Sequence, residues 1–253
     1  MGLFGIQIFL SSLYKLILTR CISMHPVSLY LIHGVDKSRG PRMIEEFKKA
    51  GIDPSGVQWI LHPNKDELSY EFLCKNILST PSYIATQYIP GGPHSVPLGV
   101  ASCTYKHYLA LEDIVKNKYP YAVIMEDNMQ FAQGVNVPER IQTYINQLNS
   151  LYPGWDVLFD LKNGPRDPDN TYVPETYAYP RKHTHPNPWH GGARCAQFYL
   201  LSYEGAVKLY SHYIPFNSAP DMVMSDLFRK LDMKVFWAEP NAVEVWQHVS
   251  TAN

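Results

Sequence analysis

Apolar runs alternate with amphipathic stretches along most of the chain. The apolar runs are rich in β-branched and aromatic residues, which is typical of buried strands. They lie at residues 27–33, 57–62, 121–125, 155–161, 196–202 and 234–239, and the last of these is predicted to be the final strand. Since helix-like stretches separate them, the pattern predicts an α/β fold with a mainly parallel sheet covered by helices on both faces.

The amphipathic stretches carry apolar residues at helical spacing. In the first, Met43, Phe47 and Ala50 share one face and Gly51 ends the run. Further helices are predicted at residues 66–78, 101–117, 141–151, 203–213 and 220–232. In the long one at 101–117, Leu109, Ile114 and Val115 are the predicted core positions.

A second kind of sequence interrupts this alternation. Residues 90–99 are rich in proline and glycine and predict an ordered loop, and residues 162–190 lack clear periodicity. The later loop contains His183, His185 and His190. Three hypotheses stay open for it: a plain surface loop, a loop that folds over a bound sugar, or a zinc site of a metal-dependent hydrolase.

Composition narrows the function classes. The 253 residues include 22 Lys+Arg and 23 Asp+Glu, a formal net charge of -1, so no basic excess exists to neutralise a nucleic-acid backbone. The length suits one domain, predicted at residues 25–253. The cysteines form no C-x-x-C pair, which favours small buried side chains over a zinc or redox motif.

Residues 1–24 form an apolar leader that is short for a membrane span. No charged segment precedes its apolar run and no small-residue cleavage site follows, so a cleaved signal peptide is not supported. A membrane-associating leader and a simple N-terminal extension both fit this pattern. We therefore expect a cytoplasmic or membrane-associated protein.

The strongest chemical signal follows the apolar strand at 121–125, where Glu126, Asp127 and Asn128 come in succession. Ligands of α/β sheets gather at the carboxyl ends of strands. Carboxylate and amide oxygens are suitable ligands for Mg²⁺ or Mn²⁺, which can bridge the diphosphate of a sugar nucleotide. The competing interpretation is an ordinary acidic turn.

The chain resembles glycosyltransferase family 25, which contains bacterial lipopolysaccharide galactosyltransferases and collagen galactosyltransferases. The resemblance is distributed over segments that follow the family's order after Met24. They are LYLIHGVDKSRGPRM, GVASCTYKHYLAL, YAVIMEDN, WDVLF, CAQFYLLSYEGAVKLY and PDMVMSDLFRKLDMKVFWAEP. The resemblance implies a GT-A-like nucleotide-binding α/β/α sandwich.

The resemblance also implies a metal site and a donor site. Asp127 and Asn128 match the family's metal-binding acidic motif, although the family usually has Asp where this chain has Asn128. Such a change could weaken metal dependence or indicate a degenerate enzyme. The residues expected to contact the donor are His33, Asp36, Arg39, Arg42, Lys65, His107 and Glu126.

Ordinary structural roles compete with several of these donor contacts. The loop that contains Asp36, Arg39 and Arg42 could be a solvated turn, and residues 64–66 could be a plain polar loop. His107 could be a core histidine whose ring is satisfied by a backbone carbonyl.

The family inverts the anomeric centre, which requires a base for the attacking hydroxyl. Asp221, at the start of a predicted helix, is our choice for this base, and helix capping is the competing role. Asp226 and Glu239 are the reserve candidates. The expected acceptor contacts are Trp189, His190, Arg194 and Glu239.

These expectations together describe a transferase. A hexose, galactose by analogy with the family, would move from a UDP-sugar to the hydroxyl of a glycan or glycoconjugate with the help of Mn²⁺ or Mg²⁺. The alternative is a non-catalytic carbohydrate- or nucleotide-binding protein derived from the same fold.

Overall fold

The computed structural model describes residues 25–34, 36–77, 96–160, 178–180, 195–238 and 241–246. The strands are β1 Val27–Ile32, β2 Val57–Ile60, β3 Tyr121–Glu126, β4 Met129–Phe131, β5 Val157–Phe159, β6 Ala178–Pro180, β7 Phe198–Ser202, β8 Val235–Ala238 and β9 Val243–Val245. The α-helices are α1 Arg39–Lys49, α2 Tyr70–Asn76, α3 Leu98–Asn117, α4 Val137–Leu151, α5 Tyr203–Tyr213 and α6 Pro220–Lys230.

A seven-stranded sheet in the order β2-β1-β3-β7-β5-β8-β6 forms the centre of the fold. Strands β1, β2, β3, β5 and β8 run in one direction, and β7 and β6 run in the other. The predicted α/β fold with a mainly parallel sheet is therefore confirmed. The reversed β7 was not predicted, because alternation of strands and helices does not fix the direction of each strand.

Each face of this sheet packs against helices. In β1, Tyr30 and Ile32 belong to a core with α2, α3, α5 and α6, whereas Leu31 points to the opposite face and packs with α1 and α4. This alternation is the ordinary two-residue period of a strand. The fold is therefore a three-layer sandwich with a buried core on each face of the sheet. Both cores stabilise it, since burying one large apolar side chain contributes about 1.5–3 kcal/mol.

Helix ends agree with the sequence signals in part. Helix α1 ends before Gly51, which has the positive φ of 77° that favours glycine. Helix α4 begins at Val137, earlier than predicted, because Asn136 caps it by accepting a hydrogen bond from the backbone N–H of Glu139. In α3 the buried face includes Leu111 and Ile114, so Leu109 was the wrong choice for a core position.

Three short strands escaped the sequence analysis. Strand β4 pairs with β9 in a second, two-stranded sheet. The prediction that the strand at 234–239 is the final one was therefore wrong. Strand β6 lies within the stretch predicted to be a loop and pairs with β8. A strand of three residues shows too little of the two-residue period to be recognised.

The predicted leader at residues 1–24 and the loop at 90–95 lie outside the described residues. Among the helices that the structure describes, none combines the length and the apolar character needed to cross a membrane.

Candidate active site

A cavity of about 170 Å³ opens at the carboxyl ends of β1 and β3, beside the first turns of α3. This edge of a parallel sheet is where α/β proteins usually bind ligands. The residues around it are Ile32, His33, Gly34, Arg39, Asn64, Lys65, Gly99, Ser102, Cys103, Lys106, Glu126, Asp127 and Asn128. Ligand pockets commonly reach about 300 Å³ or more, so the space that these residues enclose is smaller than a typical ligand pocket.

Asp127 is the most heavily bonded side chain in this cavity. Its Oδ2 accepts hydrogen bonds from His33 Nδ1 at 2.7 Å and from the backbone N–H of Gly34 at 2.8 Å. Its Oδ1 accepts a hydrogen bond from Arg39 Nη1 at 2.9 Å. Burial alone would raise the pKa of Asp127, but these hydrogen bonds and the Arg39 charge hold the pKa below its usual value. The carboxylate therefore fixes the β1–α1 loop against β3.

Asn128 differs from Asp127, because its side-chain oxygen is available to bind a ligand. The Oδ1 atom is buried and has no hydrogen-bond partner among the described residues. The backbone carbonyl accepts a hydrogen bond from the N–H of Trp246 at 3.0 Å, which joins the corner to the segment after β9. A buried oxygen without a partner is costly, and a ligand or cation in the cavity would satisfy it.

Glu126 ends β3 and lines the cavity from the α3 side. Its Oε1 is 3.1 Å from His107 Nε2 and 3.9 Å from Cys103 Sγ. The other ring nitrogen of His107, Nδ1, is 2.8 Å from the hydroxyl of Tyr199. His107, an expected donor contact, is fully buried and does not line the cavity. Its ring partners are the Glu126 carboxylate and the Tyr199 hydroxyl, whereas the competing interpretation of a core histidine expected a backbone carbonyl.

Lys106 is a cavity residue that the sequence analysis missed. Its ammonium group donates to the backbone carbonyl of His33 at 2.8 Å and to Asn64 Oδ1 at 2.9 Å. Burial lowers its pKa, although Asp127 and Glu67 act in the opposite direction. Neighbouring Ser102 also lines the cavity and donates to the carbonyl of Pro63 at 2.6 Å. The i, i+4 spacing of Ser102 and Lys106 on α3 could have indicated this pair, because residues four apart share one face of a helix.

The other expected donor contacts divide into two groups. Lys65 lines the cavity, as His33 and Arg39 do. Arg42 lies behind the corner: it donates to the carbonyls of Met129 and Asp127, and its guanidinium stacks 4.0 Å from the ring centre of Trp246.

Asp36, like Arg42 and His107, is an expected donor contact that lies outside the cavity lining. Its Oδ1 accepts hydrogen bonds from the backbone and hydroxyl of Ser38, which lower its pKa. Its other oxygen lies 3.4 Å from Arg39 Nε. Asp36 and Arg42 therefore shape the loop and the corner around the cavity.

Asp221 is not among the residues that line the cavity. Its Oδ2 accepts a hydrogen bond from the backbone N–H of Cys195 at 3.0 Å, and its Oδ1 accepts one from the N–H of Met222 at 2.9 Å. The N-cap of α6 is Ala219, so Asp221 lies within the first turn. Burial raises the pKa of the Cys103 thiol, and the negative charges of Glu126, Asp127 and Asp221 raise it further.

The expected acceptor contacts Trp189, His190, Arg194 and Glu239 lie outside the described residues, and so do His183 and His185. They stay predictions.

The corner fits a hard cation in part. Asn128 offers an unpartnered oxygen towards the cavity, which suits Mg²⁺ or Mn²⁺. Asp127 offers oxygens that already accept hydrogen bonds from His33, Gly34 and Arg39, so a cation bound there would compete with a guanidinium.

Comparison with known proteins finds similarity among solved structures. No protein-family model matches the chain, and no curated protein matches it. Among solved structures, the apo form of mouse xyloside xylosyltransferase 1 is 10% identical, with 83% of this chain and 84% of that chain covered and a TM-score of 0.40. The structure of A197 from STIV is 10% identical, with 88% and 85% covered and a TM-score of 0.44. Overlap at this level does not carry either protein's activity over to this chain.

Proposed function

We propose that this chain is a glycosyltransferase that moves a hexose from a UDP-sugar to the hydroxyl of a glycan or glycoconjugate with inversion. The observation that carries the proposal is the composition of the cavity at the ends of β1 and β3. There the cations of Arg39, Lys65 and Lys106 meet an edge that also offers Asp127 and Asn128.

The cations suit the diphosphate of the donor. The Lys106 ammonium donates two hydrogen bonds to neutral oxygens, and its third N–H can donate to a phosphate oxygen in the cavity. Hydrogen bonds between charged partners are roughly twice as strong as neutral ones, so a diphosphate would gain most from Lys106 and Arg39. Asn64 and Lys65 follow β2 at the same edge and would bound the uridine.

Asp127 and Asn128 are the residues that would hold Mn²⁺ or Mg²⁺. Such an ion would neutralise charge on the departing diphosphate. Asn128 supplies a neutral oxygen in this arrangement, and Arg39 would turn from Asp127 towards phosphate. The shared positive charge of Arg39 and Lys106 lowers the dependence of diphosphate binding on the ion.

Asp221 is the proposed base for the acceptor hydroxyl. Its two oxygens each accept one backbone hydrogen bond, which orients the carboxylate and leaves further lone pairs for a hydroxyl proton. Asp221 does not line the cavity itself, but its negative charge acts on Cys103, a residue that does.

A non-catalytic nucleotide- or carbohydrate-binding protein is the second candidate. The observation in its favour is that both Asp127 oxygens already accept hydrogen bonds, from Arg39, His33 and Gly34, together with Asn128 at the second motif position. A binding protein of this kind would bind UDP and leave donor sugars intact.

Release of UDP from a panel of UDP-hexoses, with and without Mn²⁺, separates the two candidates. The wild-type chain should turn over at least one donor, and Asp221→Asn should lower the rate by about 10²- to 10⁴-fold, the usual contribution of a general base. Asp226→Asn removes the reserve candidate on the same helix and should keep wild-type turnover, because Asp226 is exposed and paired with Arg229 and Lys230. Bound UDP with every donor intact supports the binding protein, and equal rates for both variants remove Asp221 as the base.

A further inference from the structure

A cysteine, a histidine and a glutamate converge at the wall of the cavity, and Cys103 has no role in the proposed sugar transfer. Cys103 and His107 are four residues apart on α3 and therefore share one face of the helix. Glu126, at the end of β3, meets them from the sheet. One possible ligand atom from each residue lies within 4.8 Å of the other two.

The spacing of these atoms suits a small metal ion. His107 Nε2 is 3.1 Å from Glu126 Oε1, and Cys103 Sγ is 3.9 Å from the same oxygen. At bond lengths of about 2.0 Å to nitrogen or oxygen and 2.3 Å to sulfur, ligand atoms around one tetrahedral ion are roughly 3.3–3.5 Å apart. Small side-chain adjustments would therefore bring the three atoms onto a common ion.

The surroundings supply what such a site needs. The hydroxyl of Tyr199 is 2.8 Å from His107 Nδ1 and holds the ring with Nε2 towards Glu126. Metal-bound histidines usually have a partner of this kind on the second nitrogen. Asp127 and Asp221 add negative charge near Cys103, which a cation would offset, whereas Lys106 opposes it.

We propose that Cys103, His107 and Glu126 bind a transition-metal ion of the Zn²⁺ class, with a fourth coordination position open to the cavity. Thiolate and imidazole ligands select Zn²⁺ or Co²⁺ over Mg²⁺ and Mn²⁺, which prefer oxygen. Since Cys103 and Glu126 line the cavity whereas His107 does not, the open position faces a ligand there. Three protein ligands and one open position are the arrangement of catalytic zinc sites. The proposal does not depend on the chain being a glycosyltransferase.

Titration of the full chain with Co²⁺ tests this site through its absorption spectrum. The wild type should bind one equivalent and develop a thiolate-to-cobalt charge-transfer band, which Zn²⁺ then abolishes by displacement. Cys103→Ala should lose the band. Cys74→Ala, which removes an exposed free cysteine on α2, is the control and should keep it.

Tyr199→Phe tests the positioning of His107 with little change in shape. Loss of the hydroxyl should lower Co²⁺ affinity by about 10- to 100-fold while the band keeps its position, the usual effect of removing a partner of a metal-bound histidine. Circular dichroism of each variant checks that the chain is folded. Absence of the band from the folded wild type, or its persistence in folded Cys103→Ala, overturns the proposal. UDP binding is measured separately without metal, so its failure affects only the proposed function.

Discussion

Asp127 and Asp160 both follow a buried strand directly, and both are almost fully buried, yet their surroundings differ. Asp127 follows β3, borders the cavity and bonds to Arg39 and His33. Asp160 follows β5 and accepts hydrogen bonds from the hydroxyl of Tyr144 at 2.8 Å and the N–H of Ala242 at 2.6 Å. Strand position alone does not distinguish these two acids.

The partners explain why the two carboxyl groups respond differently to burial. Around Asp127, hydrogen bonds and the Arg39 charge outweigh burial, and its pKa is lowered. Around Asp160, burial outweighs its hydrogen bonds, and its pKa is raised to about 6. Asp160 therefore joins α4 and the segment before β9 to the sheet, whereas Asp127 organises an edge with cations that a ligand can reach.

Removing the Asp127 carboxylate should have the largest effect on stability. Asp127→Ala leaves Arg39 buried without its closest anionic partner, and breaking a buried pair in this way typically costs about 3–5 kcal/mol of unfolding free energy. Urea unfolding measures the loss. Asp36→Ala, which removes the more exposed partner of Arg39, is the control and should cost clearly less. Equal losses in both variants would contradict the assignment of Asp127 as the main partner.

The raised pKa of Asp160 predicts that this residue stabilises the fold less as the pH rises, whereas the lowered pKa of Asp127 has the opposite effect. Its favourable contribution to stability is present below its ordinary pKa of 3.8 and is lost as the pH rises through about 6. Between about pH 4 and pH 7, the free energy of unfolding of Asp160→Asn should therefore rise relative to that of the wild type by as much as roughly 3 kcal/mol, at about 1.4 kcal/mol for each pKa unit. Urea unfolding at both pH values measures this gain, and parallel curves for the two chains would contradict it.

An exposed acid should show the smallest effect. Asp226 pairs with Arg229 at 3.1 Å and Lys230 at 2.6 Å on the outer side of α6, where all three side chains are about half exposed. Such surface pairs contribute about 0–1 kcal/mol. Asp226→Ala should thus change the unfolding free energy by less than about 1 kcal/mol. A larger loss would mean that the difference in exposure between Asp226 and Asp127 does not explain how much each carboxylate stabilises the fold.

The sequence was sufficient for the parts of the fold that have long, regular patterns. The apolar run of β3 and its acidic corner were predicted because six consecutive strand residues precede the turn. Strands β4 and β9 were missed because each has three residues and forms only when Met129 pairs with Val245, far along the chain.

The site was predicted on its loop side and missed on its helix side. Arg39 and Lys65 follow strands, where ligands are expected, and both line the cavity. Ser102, Cys103 and Lys106 lie on a long helix, where polar residues are normally assigned to the solvent side. Only the packing of α3 against the ends of β1 and β3 turns them towards the cavity.

Calorimetric titration with UDP tests most directly whether this cavity holds a nucleoside diphosphate. Lys106→Met should weaken UDP binding by roughly 10- to 100-fold, because a hydrogen bond to a charged group contributes about 1.5–3 kcal/mol. Lys48→Met, an exposed lysine on α1 paired with Glu45, should bind UDP like the wild type. A wild-type chain that binds no UDP with or without Mn²⁺, or a Lys106→Met variant with unchanged affinity, would contradict the account.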